Sequence, residues 1–530
     1  MATLTHPQIG KIVGREHEGC IQFLGVKYAT LINKFAVPQL VKYNGEGLNA
    51  SKHGPQVVSP PAVDVEHMLI QKPLPKPSDP GTSDIDGLNL NITIPGSKSD
   101  ARDLPVLVFI HGGGYNIGGN WWPQYDFARL VKLAVDVGKP FIGVNINYRL
   151  GLPGFFTSKG LRDQGYKTNN GLRDQRVALN WIRTYIQGFG GSPDKVTVMG
   201  ESAGGVSTGY LLLSKEPLAG RLILLGGCPP LMGQLPLSAA DYRATDIAKL
   251  LGLDDIDTPE NVQRLIDMPS SELLGKIPPT LPMVPIIDGE IIPTAFSFEN
   301  FADGAGKIPG YSSIQAVVLG NSTLDSSIMA MALQNRPEIA SKFRDSASKT
   351  LSAHPEALQK ILVHYNLTEA LTASQSNKES LMNVLRFIND IAFLAPANSL
   401  ASAFPHDVLR FIFNEPNPWD GPFKGHSSHI LDVAFIFQNY NEHLEEGQKR
   451  GAVTFAKDVI TFVNAGTPWK IFNQGERGTA IYEGGTRVDL NLEENKYIKS
   501  DSLIEELAGS KEGPSKTLLM QVFNNLMAGA

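Results

Sequence analysis

Two cysteines in 530 residues, Cys20 and Cys228, permit at most one bridge, which excludes a disulfide framework and makes a reducing compartment the simpler expectation. Long hydrophobic runs are missing as well: no window approaches the roughly 18 consecutive apolar residues of a membrane span, and Leu104 to Ile110 is only a strand-length run. Positive charge is not in excess. The formal net charge of −6 offers no global field to hold a phosphate backbone, so nucleic acid is not an expected partner. The first residues are interrupted by His6, Lys11, Arg15, Glu16 and Glu18 and carry no apolar core of signal-peptide type. A cytoplasmic product is expected, unless the initiating Met replaces a natural leader. Gly and Pro, at 52 and 36, stay below the level of low-complexity chains, which excludes disorder, collagen and coiled coil. No His/Cys/Asp cluster has metal-ligand spacing, so neither a metal nor another cofactor is expected.

What remains is a globular pattern long enough for several domains or one large α/β fold. Leu104 to Ile110, Phe141 to Asn147 and Lys195 to Met199 are short, β-branched and bounded by Gly or Pro, and they alternate with helical patterns in a parallel-sheet rhythm. Between the last two, Gly171 to Ile186 places Leu172, Val177, Trp181, Ile182 and Ile186 at helical spacings and reads as a crossover helix. Residues 235–301 break into short helices and Pro-rich turns, and 337–404 reads as mostly helical; both are expected to be insertions covering one end of the sheet. Gln315 to Leu319 and Val408 to Phe413 are strand candidates flanking the second insertion, and Ala452 to Asn464 reads as a helix stopped by Gly466 and Pro468. With no repeat or clear linker, residues 1–530 are taken as one domain.

Two glycine-rich stretches carry chemistry. Gly200-Glu201-Ser202-Ala203-Gly204 fits the G-x-S-x-G string, in which a serine nucleophile sits on a tight strand-to-helix turn. An ordinary turn would satisfy the string alone, but a Val/Thr strand precedes it and a helix-compatible run, Ala203 to Leu213, follows. His111-Gly112-Gly113-Gly114-Tyr115 directly follows the strand Leu104 to Ile110. Consecutive glycines let backbone N–H groups converge on one point, as a tetrahedral oxyanion requires, with Gly113, Gly114 and Ala203 as the expected donors. A glycine-rich loop after a strand also cradles phosphates, but neither the P-loop Lys-Ser/Thr nor G-x-G-x-x-G is present.

These stretches, with FLGVKYA (Phe23 to Ala29), DGLNLNI (Asp86 to Ile92), NYRLGLPGF (Asn147 to Phe155), NNGLRDQRVALNWI (Asn169 to Ile182), FGGSPDKVTVMGESAGG (Phe189 to Gly205) and FVNAGTPW (Phe462 to Trp469), span nearly the whole chain. Together they resemble the type-B carboxylesterase/lipase family, the cholinesterase-like group of α/β-hydrolases, and most its fungal esterase members. The resemblance implies an α/β-hydrolase fold, a central mostly parallel sheet flanked by helices, and acyl transfer by a Ser-acid-His triad in that chain order.

The resemblance also implies where the acid and base lie. In the family the acid stands five residues beyond a strand ending in Gly, which from Gly320 selects Asp325; Asp325-Ser326 stands where Glu-Gly is usual. Asp325 is also placed to cap a following helix. The family's histidine precedes an acidic residue by three and Phe-x-Phe by six, which from Asp432 and Phe435 selects His429, with His426 the rival because of the spacing to Gly425. Gly87 stands where extracellular relatives have a cysteine, and Gly226 where many relatives have a serine near the triad. Tyr115, Trp121, Trp122 and Phe155 are candidates for lining the gorge, although aromatics in such loops commonly serve packing. Arg149 and Asp174 are expected to pair structurally. The expected function is a serine carboxylic-ester hydrolase acting on small to medium soluble esters. Acyl transfer or lactone opening with the same triad is the alternative, and a catalytically dead binding protein a third.

Overall fold

Ordinary amphipathic and apolar patterning builds one sheet that the chain enters antiparallel and then extends in parallel. The computed structural model describes residues 1–60, 62–96, 102–278, 281–302, 308–473, 478–491 and 496–529. Its main sheet contains β1 (Ala2–His6), β2 (Gly10–His17), β3 (Cys20–Lys27), β4 (Asn89–Pro95), β5 (Leu104–Ile110), β6 (Ile142–Ile146), β7 (Gly191–Glu201), β8 (Arg221–Leu225), β9 (Ala316–Ser322), β10 (Asp407–Phe413), β11 (Thr479–Glu483) and β12 (Thr486–Leu490). Their spatial order is β1-β2-β3-β4-β6-β5-β7-β8-β9-β10-β11-β12, and the short segment Leu48–Asn49 adds to β2. From β6 to β11 every neighbouring pair is parallel, while β1 to β4 and the last hairpin are antiparallel.

The five strands read from the sequence are all present. β7 is longer than Lys195 to Met199 because its ends carry Gly, Ser, Pro and Asp, which hide the strand pattern. The antiparallel entry was not part of the parallel-rhythm reading. Its outer strands β1 and β2 are half-exposed, and β2 turns into β3 through Glu18 and Gly19, both at positive φ (48° and 75°), a local geometry that suits a two-residue hairpin. The central strands are buried on both faces, as parallel strands covered by helices must be; Val106 to Ile110 are at most 1% exposed.

Helices cover the sheet: α1 (Val63–Ile70), α2 (Asn170–Tyr185), α3 (Ala203–Tyr210), α4 (Leu237–Leu251), α5 (Asn377–Ile388), α6 (Leu431–Ile436) and α7 (Glu446–Val463) are those used below. The crossover helix α2 buries Leu172, Leu179, Trp181 and Ile182. α7 begins six residues before the expected Ala452, because its first turn is polar and exposed and shows no apolar period. The stretch 235–301 contains α4, Pro259–Asp267 and Ser270–Lys276, and 337–404 contains Ile339–Thr350, Pro355–His364, α5 and Ala395–Ala403. Residues 279 and 280 of the first stretch lie outside the described residues. Arg149 and Asp174 form a buried two-pronged pair, with Nη2–Oδ1 2.7 Å and Nε–Oδ2 2.8 Å. Cys20 and Cys228 are both free and buried. Among the described residues no helix is long and apolar enough to cross a membrane.

Register fixes the site. β7 pairs with β5 so that Gly200 sits opposite Ile110, and with β8 so that Glu201 sits opposite Leu225. The chain segments leaving β5, β7, β8, β9 and β10 therefore all emerge at one carboxyl edge of the sheet, where ligand sites of such folds lie.

Candidate active site

Ser202 makes the whole turn from β7 into α3, at φ 53° and ψ −124°, a strained conformation for a residue with a side chain. Its N–H donates to Leu225 O at 2.8 Å, tying the turn to β8. The flanking glycines are a packing requirement: a Cβ on Gly204 would lie 2.0 Å from Ile110 O, and one on Gly200 2.1 Å from Gly204 O. Ser202 keeps partial exposure while Glu201 and Ala203 are buried, so the hydroxyl is carried on an otherwise closed turn.

The loop after β5 lies against this turn. A methyl group on Gly112 would stand 2.8 Å from Ser202 Cβ. Gly113 and Gly114 follow with left-handed φ of 96° and 60° and remain partly exposed, beside a serine that is partly exposed too. Among the described residues no backbone carbonyl accepts from the N–H of Gly113 or Gly114. Ala203 opens α3, where a helix has no carbonyl of its own to receive the N–H. Three donors without structural duties thus flank Ser202.

The acid and base arrive from β9 and β10. Asp325, 0% exposed, directs Oδ1 at His429 Nδ1 over 3.0 Å. Its other oxygen accepts from Ser322 N–H at 2.9 Å and lies 3.4 Å from Asn321 Nδ2. The His429 backbone N–H donates to Ser327 Oγ at 2.9 Å, so the same short turn holds both partners. His426, the rival in sequence, is exposed, with its backbone tied to Phe423 and Asn417, whereas Asp325 is bonded to His429. Gly226 explains how an acid one methylene shorter than glutamate reaches the ring. It sits at φ 50°, and a Cβ there would lie 2.8 Å from Asp325 Oδ1 and 3.2 Å from His429 Cε1. The absent side chain leaves the room into which the shorter acid and the ring are drawn.

Sequence reading missed a cluster of further carboxylates. Glu201 is buried with Oε1 3.1 Å from His429 Nε2, close but without hydrogen-bond alignment, and Nε2 has no other partner. Burial, then the charges of Glu66, Asp432 and Asp325, push the Glu201 carboxyl well above its usual range. Glu66 on α1 accepts from Gln124 Nε2 at 2.7 Å and from the Tyr125 hydroxyl, and burial pushes it up to about 7. Burial and then Asp325 likewise raise Asp432 to about 7. Raised in this way, the carboxyls of Glu201, Glu66 and Asp432 keep their protons to higher pH than ordinary carboxyls do. Glu201 had a signal in its place beside the nucleophile; Glu66, on a distant helix, had none.

The four predicted aromatics are all buried. Tyr115 packs against Phe155 with centroids 4.3 Å apart and the rings tilted by 33°, and pairs its hydroxyl with Ser207 Oγ at 3.1 Å. Trp121 and Trp122 line a separate cavity of about 350 Å³ whose other walls include Arg15, His53 and Asp126 but no residue of the Ser-Asp-His set. Among the described residues no group of three His, Cys, Asp or Glu is arranged to hold a metal ion.

Known proteins are similar to this chain over most of its length. A family model described as "Carboxylesterase family" matches residues 2–497. The chain is 26% identical over 531 residues to the para-nitrobenzyl esterase of Bacillus subtilis (strain 168), covering 93% of this chain and 97% of that protein. It is 26% identical over 506 residues to Lipase 3 of Yarrowia lipolytica, covering 92% of each. Among solved structures, a PNB esterase superposes with TM-score 0.72 at 24% identity, over 94% of this chain and 99% of the other. A carboxylesterase of Geobacillus stearothermophilus does so with TM-score 0.73 at 22% identity, over the same shares. A family match over nearly the full length, on a sheet of this topology, establishes that the chain is a member of the carboxylesterase family of α/β-hydrolases.

Proposed function

We propose that the chain is a serine carboxylic-ester hydrolase in which Ser202 is the nucleophile, His429 the general base and then acid, and Asp325 the orienting acid. The observation that carries the reading is the convergence of Ser202 on its strained turn with the 3.0 Å His429–Asp325 contact at one sheet edge. His429 Nε2 takes the Ser202 proton as Oγ attacks the ester carbonyl, and Asp325 holds the tautomer and balances the imidazolium. His429 Nε2 has no hydrogen-bond partner of its own, which leaves its lone pair for the Ser202 proton. The N–H groups of Gly113, Gly114 and Ala203 receive the oxyanion. His429 then protonates the leaving alcohol, and water releases the acid from the acyl-enzyme by the same route. Small to medium soluble esters are the assigned substrates, in keeping with the para-nitrobenzyl esterase likeness.

The test is hydrolysis of p-nitrophenyl esters from acetate to long acyl chains by wild type, Ser202→Ala and His429→Ala, with labelling by a serine-directed phosphonate. Turnover by wild type, its loss in both variants and labelling that disappears in Ser202→Ala are expected. Turnover that survives Ser202→Ala overturns the reading.

A further inference from the structure

Behind the Asp325 turn lies a second cavity, of about 180 Å³, that the ester chemistry does not use. Its volume equals about six waters or a short organic acid. Ser322 and Asn389 form its floor, with Asp390, Tyr365, His364 and Arg386 around them. Asn389 and Asp390 open a π-helical segment, Asn389–Leu394, that follows α5; such widened turns recur at functional sites.

Two of the polar groups here, Ser322 and Arg386, carry donors available to a ligand. The Ser322 hydroxyl is 0% exposed and has no partner. Arg386 is exposed and spends one nitrogen on Asn383 Oδ1, at 2.9 Å. Asp390, the single carboxylate among the lining residues, accepts from Tyr365 OH at 2.8 Å. Burial pushes its carboxyl up to about 7, against the opposing pull of Tyr365, Asn389 and the Arg386 charge. Burial first, and then the charges of Arg386 and Lys378, disfavour the protonated form of nearby His426. An unpartnered buried hydroxyl and a guanidinium lining one pocket suit a small anion, and a carboxylate has one oxygen for each.

The floor is also the support of Asp325. Ser322 N–H donates to Asp325 Oδ2, and Asn389 Oδ1 accepts from the backbone N–H of Ser326 at 3.3 Å. We infer that this cavity binds a short-chain carboxylate, anchored by Arg386, and that its occupancy acts on the Asp325 turn. The inference deepens the ester-hydrolase reading and rests on it for the source of the ligand, since the carboxylate is that reaction's product; Arg386, Ser322 and Asn389 are here positioning residues.

The experiment is calorimetric titration of the full chain with sodium butyrate at constant ionic strength. Wild type, Ser202→Ala and Arg386→Gln are compared, with sodium phosphate as a parallel titrant and p-nitrophenyl acetate turnover read in the same samples. Butyrate is expected to bind wild type and Ser202→Ala alike and to bind Arg386→Gln about tenfold or more weakly, the worth of one charged hydrogen bond. It is also expected to change kcat in wild type but not in Arg386→Gln. The inference is overturned if butyrate does not bind, if Arg386→Gln binds it as wild type does, if Ser202→Ala abolishes binding, or if phosphate binds as tightly as butyrate. Arg386-dependent butyrate binding by a chain that hydrolyses no ester would sink the ester reading and leave the site standing. Arg386 is exposed, so the glutamine variant retains the fold; an unchanged thermal transition checks this.

Discussion

Replacing Asp325 by asparagine separates the charge of the acid from its shape. Two donors, Ser322 N–H and Asn321 Nδ2, converge on Oδ2, while Oδ1 faces His429 Nδ1 at 3.0 Å. The substituted amide must therefore leave its oxygen in the Oδ2 position and turn its NH2 toward the ring. An NH2 donor is satisfied only if Nδ1 is unprotonated, which puts the ring hydrogen on Nε2 and removes the lone pair that takes the Ser202 proton. In a serine protease the corresponding change lowers kcat about 10⁴-fold, equivalent to about 5 kcal/mol of barrier. A loss of that order is expected for Asp325→Asn, with KM little changed because the oxyanion donors and substrate pocket are untouched. The assay is steady-state release of p-nitrophenolate from the butyrate ester, beside a near-UV circular dichroism spectrum showing intact packing. A kcat within about tenfold of wild type would refute the tautomer argument.

Three further outcomes follow from neighbouring geometry. Gly226→Ala places a methyl 2.8 Å from Asp325 Oδ1 in a left-handed conformation, so kcat should fall by about 10²-fold through displacement of the pair; an unchanged kcat shows that the acid does not need this space. Asp174→Asn leaves the Arg149 guanidinium without its counter-charge, and urea unfolding should show a loss of about 3–5 kcal/mol; a loss below about 1 kcal/mol means the pair is not held as described. Asp390 has a folded pKa of about 7, raised from 3.8, so its contribution is fully present below pH 3.8 and is lost as pH rises through 7. Asp390→Asn, which cannot ionise, should therefore gain on wild type between pH 5 and pH 8 by about 2–3 kcal/mol in unfolding free energy, and equal pH slopes for the two proteins count against a buried Asp390 with a raised pKa.

Much of the site was legible because its chemistry is local in the chain. Gly200, Ser202 and Gly204 stand within five positions, and a tight turn between strand and helix admits few alternatives. Asp325 and His429 were reached only through the spacing of a resembled family, since 104 positions separate them and no local pattern connects them. The choice between His426 and His429 rested in the sequence on family spacing alone, and the contact of His429 with Asp325 is a tertiary one. The outer entry strands β1 and β2 and the first turn of α7 escaped because half-exposed elements carry weak periodicity.

Sequence alone determined that the chain folds around a central, largely parallel sheet and carries a serine on a strand-to-helix turn after a glycine-rich loop. Those features depend on hydrophobic period and backbone freedom, which neighbouring residues encode. Tertiary structure decided the rest: the meeting of Glu66, Asp325 and Asp432 around Glu201, beside His429, the room at Gly226 beside a short acid, and the cavity behind Ser322. Each depends on groups from separate elements sharing a low-dielectric interior, where proximity sets protonation and fit, and proximity across the fold is not written in the spacing of any one segment.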